Sequence, residues 1–293
     1  MHRNRTVSRG GTILAEIRRL TQEDYDLYCG MELGAGRDYI RDVYHRLVES
    51  PGRMYGWFEE GHLAATAGWS LTADTFAMLG RLRTDVRFRG RGIAGKLMEE
   101  VRALAGQETG AHWIGGFTEI ENKPARRVLE QAGLIGGPEF HIWKRQTLPE
   151  VPAEAVPWKE VHDSDEKRRW LEKMYETRHM PVECYYPFPP EKPLFRSVNT
   201  NEWHIVVHPD GKRAAAAVHD QKGNDYLHVL YPWTDADRQP GLWKALTPVK
   251  EALDARLETE TIVWIDEYGD QPWVASSTQR WELDSSWILY ERI

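Results

Sequence analysis

Between positions 81 and 96 the chain gathers Arg81, Arg83, Arg87, Arg89, Arg91 and Lys96, opposed only by Asp85. Gly90, Gly92, Ala94 and Gly95 are interleaved with the last of these cations, in the run RFRGRGIAGKLM (87–98). Small residues leave backbone amides open to close approach, and cations beside them favour a bound anion such as a phosphate. The same run can be spelled three ways. Gly90, Gly92 and Gly95 give the GxGxxG of dinucleotide sites; Gly90, Gly95 and Lys96 give most of a nucleoside-triphosphate loop; Arg89, Gly92 and Ala94 give RxxGxA. A dinucleotide site needs an apolar strand running straight into the first glycine, but Thr84–Arg89 is polar and charged. A triphosphate loop needs a hydroxyl after the lysine to hold magnesium, and Leu97 stands there. A bare basic turn is the remaining alternative. It sets cations against the positive end of a helix, at a few tenths of a kcal/mol each. A bound anion would reverse that sign, so an anion site is expected.

These residues need a strand to end at the turn and a helix to begin there. FAMLGRLRT (76–84) reads as the strand, and Ile93, Leu97, Val101 and Leu104 recur at helical spacing. Upstream lie a strand near Glu16–Leu20, helices from Thr21 to Val48, and a hairpin turning at Glu60–Gly61. Downstream, HWIGGFT is a strand, NKPARRVLEQA a helix with Pro124 in its first turn, and EFHIW a closing strand. Thr147–Trp158 carries three prolines and no periodicity, as a linker does. Beyond it the element order returns, and Trp57 precedes Val206 by the same interval as Gly92 precedes Gly241. The expected organisation is a domain over 13–146, a linker over 147–157 and a second domain over 158–293. The expected fold class is α/β, a mixed sheet flanked by helices and duplicated as two lobes.

The charge and composition exclude several partners. A net charge of −7 repels nucleic acid and anionic lipid, and no apolar run is long enough to span a bilayer. The first residues lack the apolar stretch of a signal peptide, and two cysteines cannot build a disulfide framework, so a cytoplasmic protein is expected.

Arg89-Gly90-Arg91-Gly92-Ile93-Ala94 satisfies Q/R-x-x-G-x-G/A, and Asn122, Ala125, Gly133 and Leu134 hold a second set of spaced positions. On these two motifs the chain resembles the GNAT acyltransferases over about residues 13–146. The resemblance implies an acetyl-CoA-dependent N-acetyltransferase, with an acetyl group passing to an amine by direct attack. It implies that Arg89, Gly90, Arg91, Gly92, Ile93, Ala94 and Gly95 cradle the diphosphate of acetyl-CoA. Leu82, Arg83 and Thr84 would line its pantetheine arm, and Asn122 would complete the cofactor site. The acceptor would be a small-molecule or peptide amine, and the protein a monomer or homodimer. Many family members place a tyrosine seven residues after the Asn to protonate the departing sulfur; here Leu129 stands in its place. That departure favours an alternative, a non-catalytic CoA-binding sensor or interaction module. Glu119, after the strand HWIGGFT, is the candidate catalytic base. Tyr25, Tyr28, Glu32, Arg37 and Tyr39 fall where such proteins bind their acceptor.

The second half reads RQPGLWKAL (238–246) at the matching turn. Pro240 has no N–H to donate and Trp243 replaces the small Ala94, so this lobe is expected to be a degenerate copy without a diphosphate site. His204 and His208 share a strand face, and His219 is placed across a hairpin from His228. No cysteine or carboxylate completes a ligand spacing with them, and no metal is expected.

Overall fold

The computed structural model describes residues 5–7, 15–34, 36, 38–49, 51–176, 178–191, 193–196, 198–269 and 281–292. The chain divides into two compact units, Met1–Gly137 with Tyr290–Ile293, and Pro138–Leu289. No helix among the described residues is long and apolar enough to cross a membrane.

In unit 1 the order is β1 (Arg5–Val7), β2 (Ala15–Arg19), α1 (Tyr25–Cys29), α2 (Ile40–Glu49), β3 (Arg53–Glu59), β4 (His62–Thr72), β5 (Phe76–Thr84), α3 (Ile93–Thr109), β6 (Trp113–Glu119) and α4 (Lys123–Gln131). The strands lie side by side in sequence order, antiparallel as far as β5, and β6 joins parallel to β5. A parallel pair needs a crossover, and α3 supplies it. The helix buries Ile93, Leu97, Val101 and Ala105 against β4 and β5. The fully buried row runs on to Ala105, and Leu104, which the helical spacing placed in it, is half buried. Steps of four residues drift by about 40° each, so this buried row is inclined to the helix axis. Each large member of that row contributes about 1.5–3 kcal/mol by its burial.

Unit 2 contains β7 (Ile135–Arg145, from Pro138 onward), β8 (Lys159–Val161), α5 (Ser164–Tyr175), β9 (Met180–Glu183), β10 (Tyr186–Phe188), α6 (Pro193–Arg196), β11 (His204–Val207), β12 (Ala214–Gln221), β13 (Asp225–Leu230), α7 (Pro240–Leu257), β14 (Ile262–Tyr268) and β15 (Glu282–Glu291, to Leu289). Strands β8, β11, β12 and β13 are successively antiparallel, and β14 is parallel to β13. This repeats the pattern of β2 to β6, with α7 as the crossover in place of α3.

Two features differ from the sequence reading. The closing strand EFHIW forms as β7, but it pairs antiparallel with β14 and belongs to unit 2. In exchange, Tyr290 and Glu291 belong to unit 1, where Trp113 Nε1 donates to Glu291 Oε2 at 2.8 Å. The hairpin β9–β10 has no counterpart in the sequence reading. The sequence DQPWVASSTQRW (270–281), which the returning element order reads as a further helix, lies outside the described residues apart from Trp281.

Candidate active site

Strand β5 changes partners along its length. It pairs with β6 from Phe76–Trp113 to Leu79–Gly116, and there that ladder ends. Its pairing with β4 continues to Thr84 across an irregularity in which Arg81 and Leu82 together face Ala67. Such a bulge bends a strand and increases its twist. Arg81 sits in the left-handed region at φ +58°. Its guanidinium holds that conformation, donating to the carbonyls of Leu47 and Arg53 at 3.2 Å each and to Ser70 Oγ at 3.0 Å. Left-handed backbone in a non-glycine residue is costly and collects at functional sites. The result is a stretch, Leu82–Thr84, that has left β6 but not β4.

At the end of β5 comes Asp85, fully buried, which caps a single 3-10 turn over Val86–Phe88. Its carboxylate accepts from the amides of Glu32 at 3.0 Å and Arg87 at 2.9 Å, and from the Arg87 guanidinium. The Arg87 guanidinium, assisted by the Glu32 and Arg87 amides, outweighs burial and holds the Asp85 carboxyl down to about 2. Asp85 thereby fixes where the glycine turn starts.

Beyond it Gly92, at φ +73°, precedes α3 and offers no side-chain cap. The first amide to bond back into the helix is that of Lys96, to Gly92 O at 3.3 Å. The amides of Gly92, Ile93, Ala94 and Gly95 come before it, the four donors that any helix start leaves unpaired. A Cβ on Gly95 would collide with Gln131 Oε1, so this glycine serves the packing of α3 on α4 as well.

The arginines have protein partners. Arg87 pairs with Asp85 and, at 3.6 Å, with Glu32. Arg89 donates to the carbonyls of Leu33 at 2.7 Å and Thr84 at 3.2 Å, and Arg91 pairs with the buried Glu59 at 2.7 Å. The sequence argument that these cations need an external anion is therefore corrected: carboxylates and carbonyls of the chain already offset them. What remains open to a ligand is the row of amides. Arg89 also keeps donors to spare, since a guanidinium has five.

Asn122 caps α4, its Oδ1 accepting from Ala125 N at 3.2 Å. Glu119 is exposed at the end of β6, and its carbonyl accepts from Asn122 N at 3.0 Å. Leu129 is buried with its side chain over Gly116, where a Cβ on the glycine would meet it at 2.6 Å. The position at which a phenol was sought is thus a core position. A phenol that sequence reasoning missed, Tyr290, accepts from Arg126 Nε at 3.1 Å and donates to Glu130 at 2.8 Å.

Residues 14–134 match the model of the acetyltransferase (GNAT) family. This stretch is a GNAT domain. No curated protein matches the sequence. Among solved structures, a putative acetyltransferase from Thermoplasma acidophilum is similar over 94% of this chain and 98% of its own, with a TM-score of 0.54 at 14% identity. A GCN5-related N-acetyltransferase from Sphaerobacter thermophilus is similar over 95% of both chains, with a TM-score of 0.55 at 15% identity. A tandem GNAT protein from the clavulanic acid biosynthesis pathway is similar over 94% of this chain and 98% of its own, with a TM-score of 0.51 at 14% identity. At these identities the likeness is one of fold, and it extends over nearly the whole chain.

Within the GNAT domain the segment before α2 is tied to β5. Arg83 pairs with Asp38 at 2.9 Å, and Tyr28 donates to the same carboxylate. Burial, and then Asp38, push the Tyr28 phenol far above its ordinary range. The Arg83 guanidinium also lies 5.6 Å from the Tyr39 ring centre. Of the proposed acceptor residues, Tyr28 and Tyr39 meet around Arg83, and Glu32 meets Arg87. Tyr25 packs instead on Tyr44 and His45. Arg37 lies outside the described residues. Asp38 was missed, because its partner lies far along the chain and no local pattern marks the pair.

The matching turn of unit 2 is blocked. Pro240 opens α7, and Gly241 O accepts from Trp158 N at 3.0 Å. A Cβ on Gly241 would run into the Val156 carbonyl oxygen, and Trp158 Cδ1 would lie 2.9 Å from it. The linker backbone thus covers the start of this helix with a carbonyl, which repels a phosphate. Gly241→Ala is expected to destabilise unit 2 by about 1–3 kcal/mol through overpacking, with coenzyme A affinity unchanged. Thermal melts and calorimetric titration of the same sample check both halves of that expectation.

Proposed function

We propose that the GNAT domain transfers an acetyl group from acetyl-CoA to an amine by direct attack of the amine on the thioester. The observation that carries this reading is the parting of β5 from β6 after Leu79 and Gly116, beside the unpaired amides at the start of α3. A diphosphate meets the amides of Gly90 to Gly95, with Arg89 and Arg91 at its flank. The pantetheine arm follows Leu82, Arg83 and Thr84, whose backbone has left β6. Asn122, which caps α4, completes the donor site. In the reaction a nitrogen–carbon bond forms, the carbon–sulfur bond breaks, the amine loses a proton and the thiolate leaves. A thiol with an ordinary value near 8.5 is a tolerable leaving group without a dedicated acid. Positioning and backbone donors aimed at the carbonyl oxygen supply the larger share of the rate.

Glu119 is the proposed base, acting on the incoming ammonium directly or through water. Glu119→Gln is expected to lower kcat by about 100-fold, within the range for a positioned base, with donor affinity unchanged. An unchanged kcat removes Glu119 from this role. The acceptor is a small-molecule or peptide amine, the site of reaction is cytoplasmic, and unit 2 is a degenerate GNAT-like copy that takes no donor. The domain limits we propose are those read from the sequence, with β7 lent to the second unit.

A second reading, a CoA-binding sensor or interaction module, is favoured by the burial of Leu129 where the family places its acid. The appearance of free thiol over a panel of amines, sugars and peptides distinguishes the two. Thiol release matched by acylated amine supports the transferase. Coenzyme A binding without thiol release above hydrolysis, with every acceptor, supports the sensor.

A further inference from the structure

Unit 2 contains a cluster of ligating side chains that the acyl-transfer reading does not use. Strands β12 and β13 pair with Val218 opposite His228 and Asp220 opposite Tyr226. Asp220 and His228 therefore share one face of the sheet. His219, which the sequence set opposite His228, pairs with Leu227 and lies on the other face, where it bonds Asp225 at 2.7 Å. The hairpin β9–β10 brings Cys184 to the Asp220 side, and the Cys184 amide donates to Asp220 Oδ2 at 2.6 Å. The thiol, the carboxylate and the imidazole present ligand atoms all within 4.8 Å of one another. Around a tetrahedral ion bound at 2.0–2.3 Å, such atoms stand roughly 3.3–3.8 Å apart, so only a small closure is needed.

The imidazole gives the cluster its direction. His228 is fully buried; its Nε2 lies 2.7 Å from Asp266 Oδ2, and its Nδ1 has no hydrogen-bond partner among the described residues. An ionised Asp266 can only accept, so the proton of the neutral ring sits on Nε2 and Nδ1 presents a lone pair. Trp264 Nε1 donates to the same Asp266 oxygen at 2.9 Å and keeps the carboxylate in place. A carboxylate on one ring nitrogen and a bare lone pair on the other is the arrangement of a metal-binding histidine. The neighbouring cation, Lys222, is turned to Glu183 at 3.1 Å.

We propose that Cys184, Asp220 and His228 Nδ1 bind a zinc ion, with Asp266 orienting the imidazole. Thiolate, imidazole and carboxylate together suit zinc among the common divalent ions. On binding, the Cys184 proton is released to solvent, and thiolate and carboxylate balance the dication. Asp220 is only half buried, which leaves the fourth position to water. The ion ties the β9–β10 hairpin to the β12–β13 face.

The test is titration of the chelator-treated full-length protein with Co²⁺ and then Zn²⁺. The expected result is one equivalent of Co²⁺ with tetrahedral d–d bands and a thiolate-to-cobalt charge-transfer band, displaced by Zn²⁺. The melting temperature rises by about 5 °C at a hundredfold excess over Kd. Cys184→Ser abolishes the charge-transfer band and weakens Zn²⁺ binding at least 100-fold. Asp220→Asn keeps an acceptor for the Cys184 amide and weakens Zn²⁺ binding about 10–100-fold, so it carries the test if the first variant does not fold. Failure to bind one equivalent of either ion, or the same spectrum and affinity in both variants, overturns the assignment.

Discussion

Gly92→Glu is expected to weaken coenzyme A binding by at least two orders of magnitude while the protein stays folded. Gly92 precedes α3 at φ +73°, and none of the described residues comes within 4 Å of where a Cβ would stand. A side chain there fits in space but not in conformation, at about 1–2 kcal/mol for a non-glycine residue in the left-handed region. In the free protein part of that cost is returned, because a carboxylate at a helix start gains about 0.3–1 kcal/mol. In the complex the same carboxylate stands against the diphosphate. Each charge-assisted bond lost removes about 1.5–3 kcal/mol, so two of them weaken Kd by roughly 10²–10⁴. Gly110 closes the same helix at φ +64°, also in open space. Gly110→Ala therefore carries comparable strain without a charge or a ligand, and it should lower the melting temperature while keeping Kd. Isothermal titration of coenzyme A into both variants is decisive; a Kd for Gly92→Glu within threefold of the parent would contradict the site.

Asp85→Ala is expected to cost about 3 kcal/mol of stability in urea denaturation at neutral pH. The substitution removes the cap of the turn at Val86, which is worth about 1 kcal/mol. That cap is the bond from the Arg87 amide; the substitution also strands the part-buried Glu32 amide, at about 1–3 kcal/mol. The Arg87 guanidinium loses Asp85 but keeps Glu32, and being half exposed it adds little. The pH dependence has a definite sign. A carboxyl lowered from 3.8 to about 2 by Arg87 stabilises the fold above its unfolded value, and that contribution is lost as the pH falls through its folded value. After allowance for the exposed guanidinium it amounts to about 1–2 kcal/mol, withdrawn between roughly pH 4 and 2. Asp85→Asn should flatten the stability profile across that window. A parent profile no steeper than that of the variant would remove Asp85 from this role.

What the sequence made legible was local. FAMLGRLRT became β5 over the expected residues, and the glycine run became the start of α3, because strand ends and helix starts are written in neighbouring residues. Asn122 announces its cap through Ala125, three residues on. The candidate site required more than that. Nothing beside Arg81 signals a left-handed residue, since its three acceptors come from α2, β3 and β4. Asp85 looked like a lone exception in a basic stretch and proves to be its anchor. The cluster at His228 was hidden by a register error of one residue. The three-residue turn over 222–224 pairs Gln221 with Asp225, which sends His219 and His228 to opposite faces. Cys184 then arrives from a hairpin that no periodicity revealed.

The passage of Tyr290 and Glu291 into the first unit bears on how the polypeptide acquires its shape. Trp113 and α4 receive their last partners from residues made long after Gly137. On the ribosome the amino-terminal half must wait, incomplete, through synthesis of nearly the whole of its neighbour. A gene cut at the proline-rich stretch would yield two fragments, each lacking a piece held by the other.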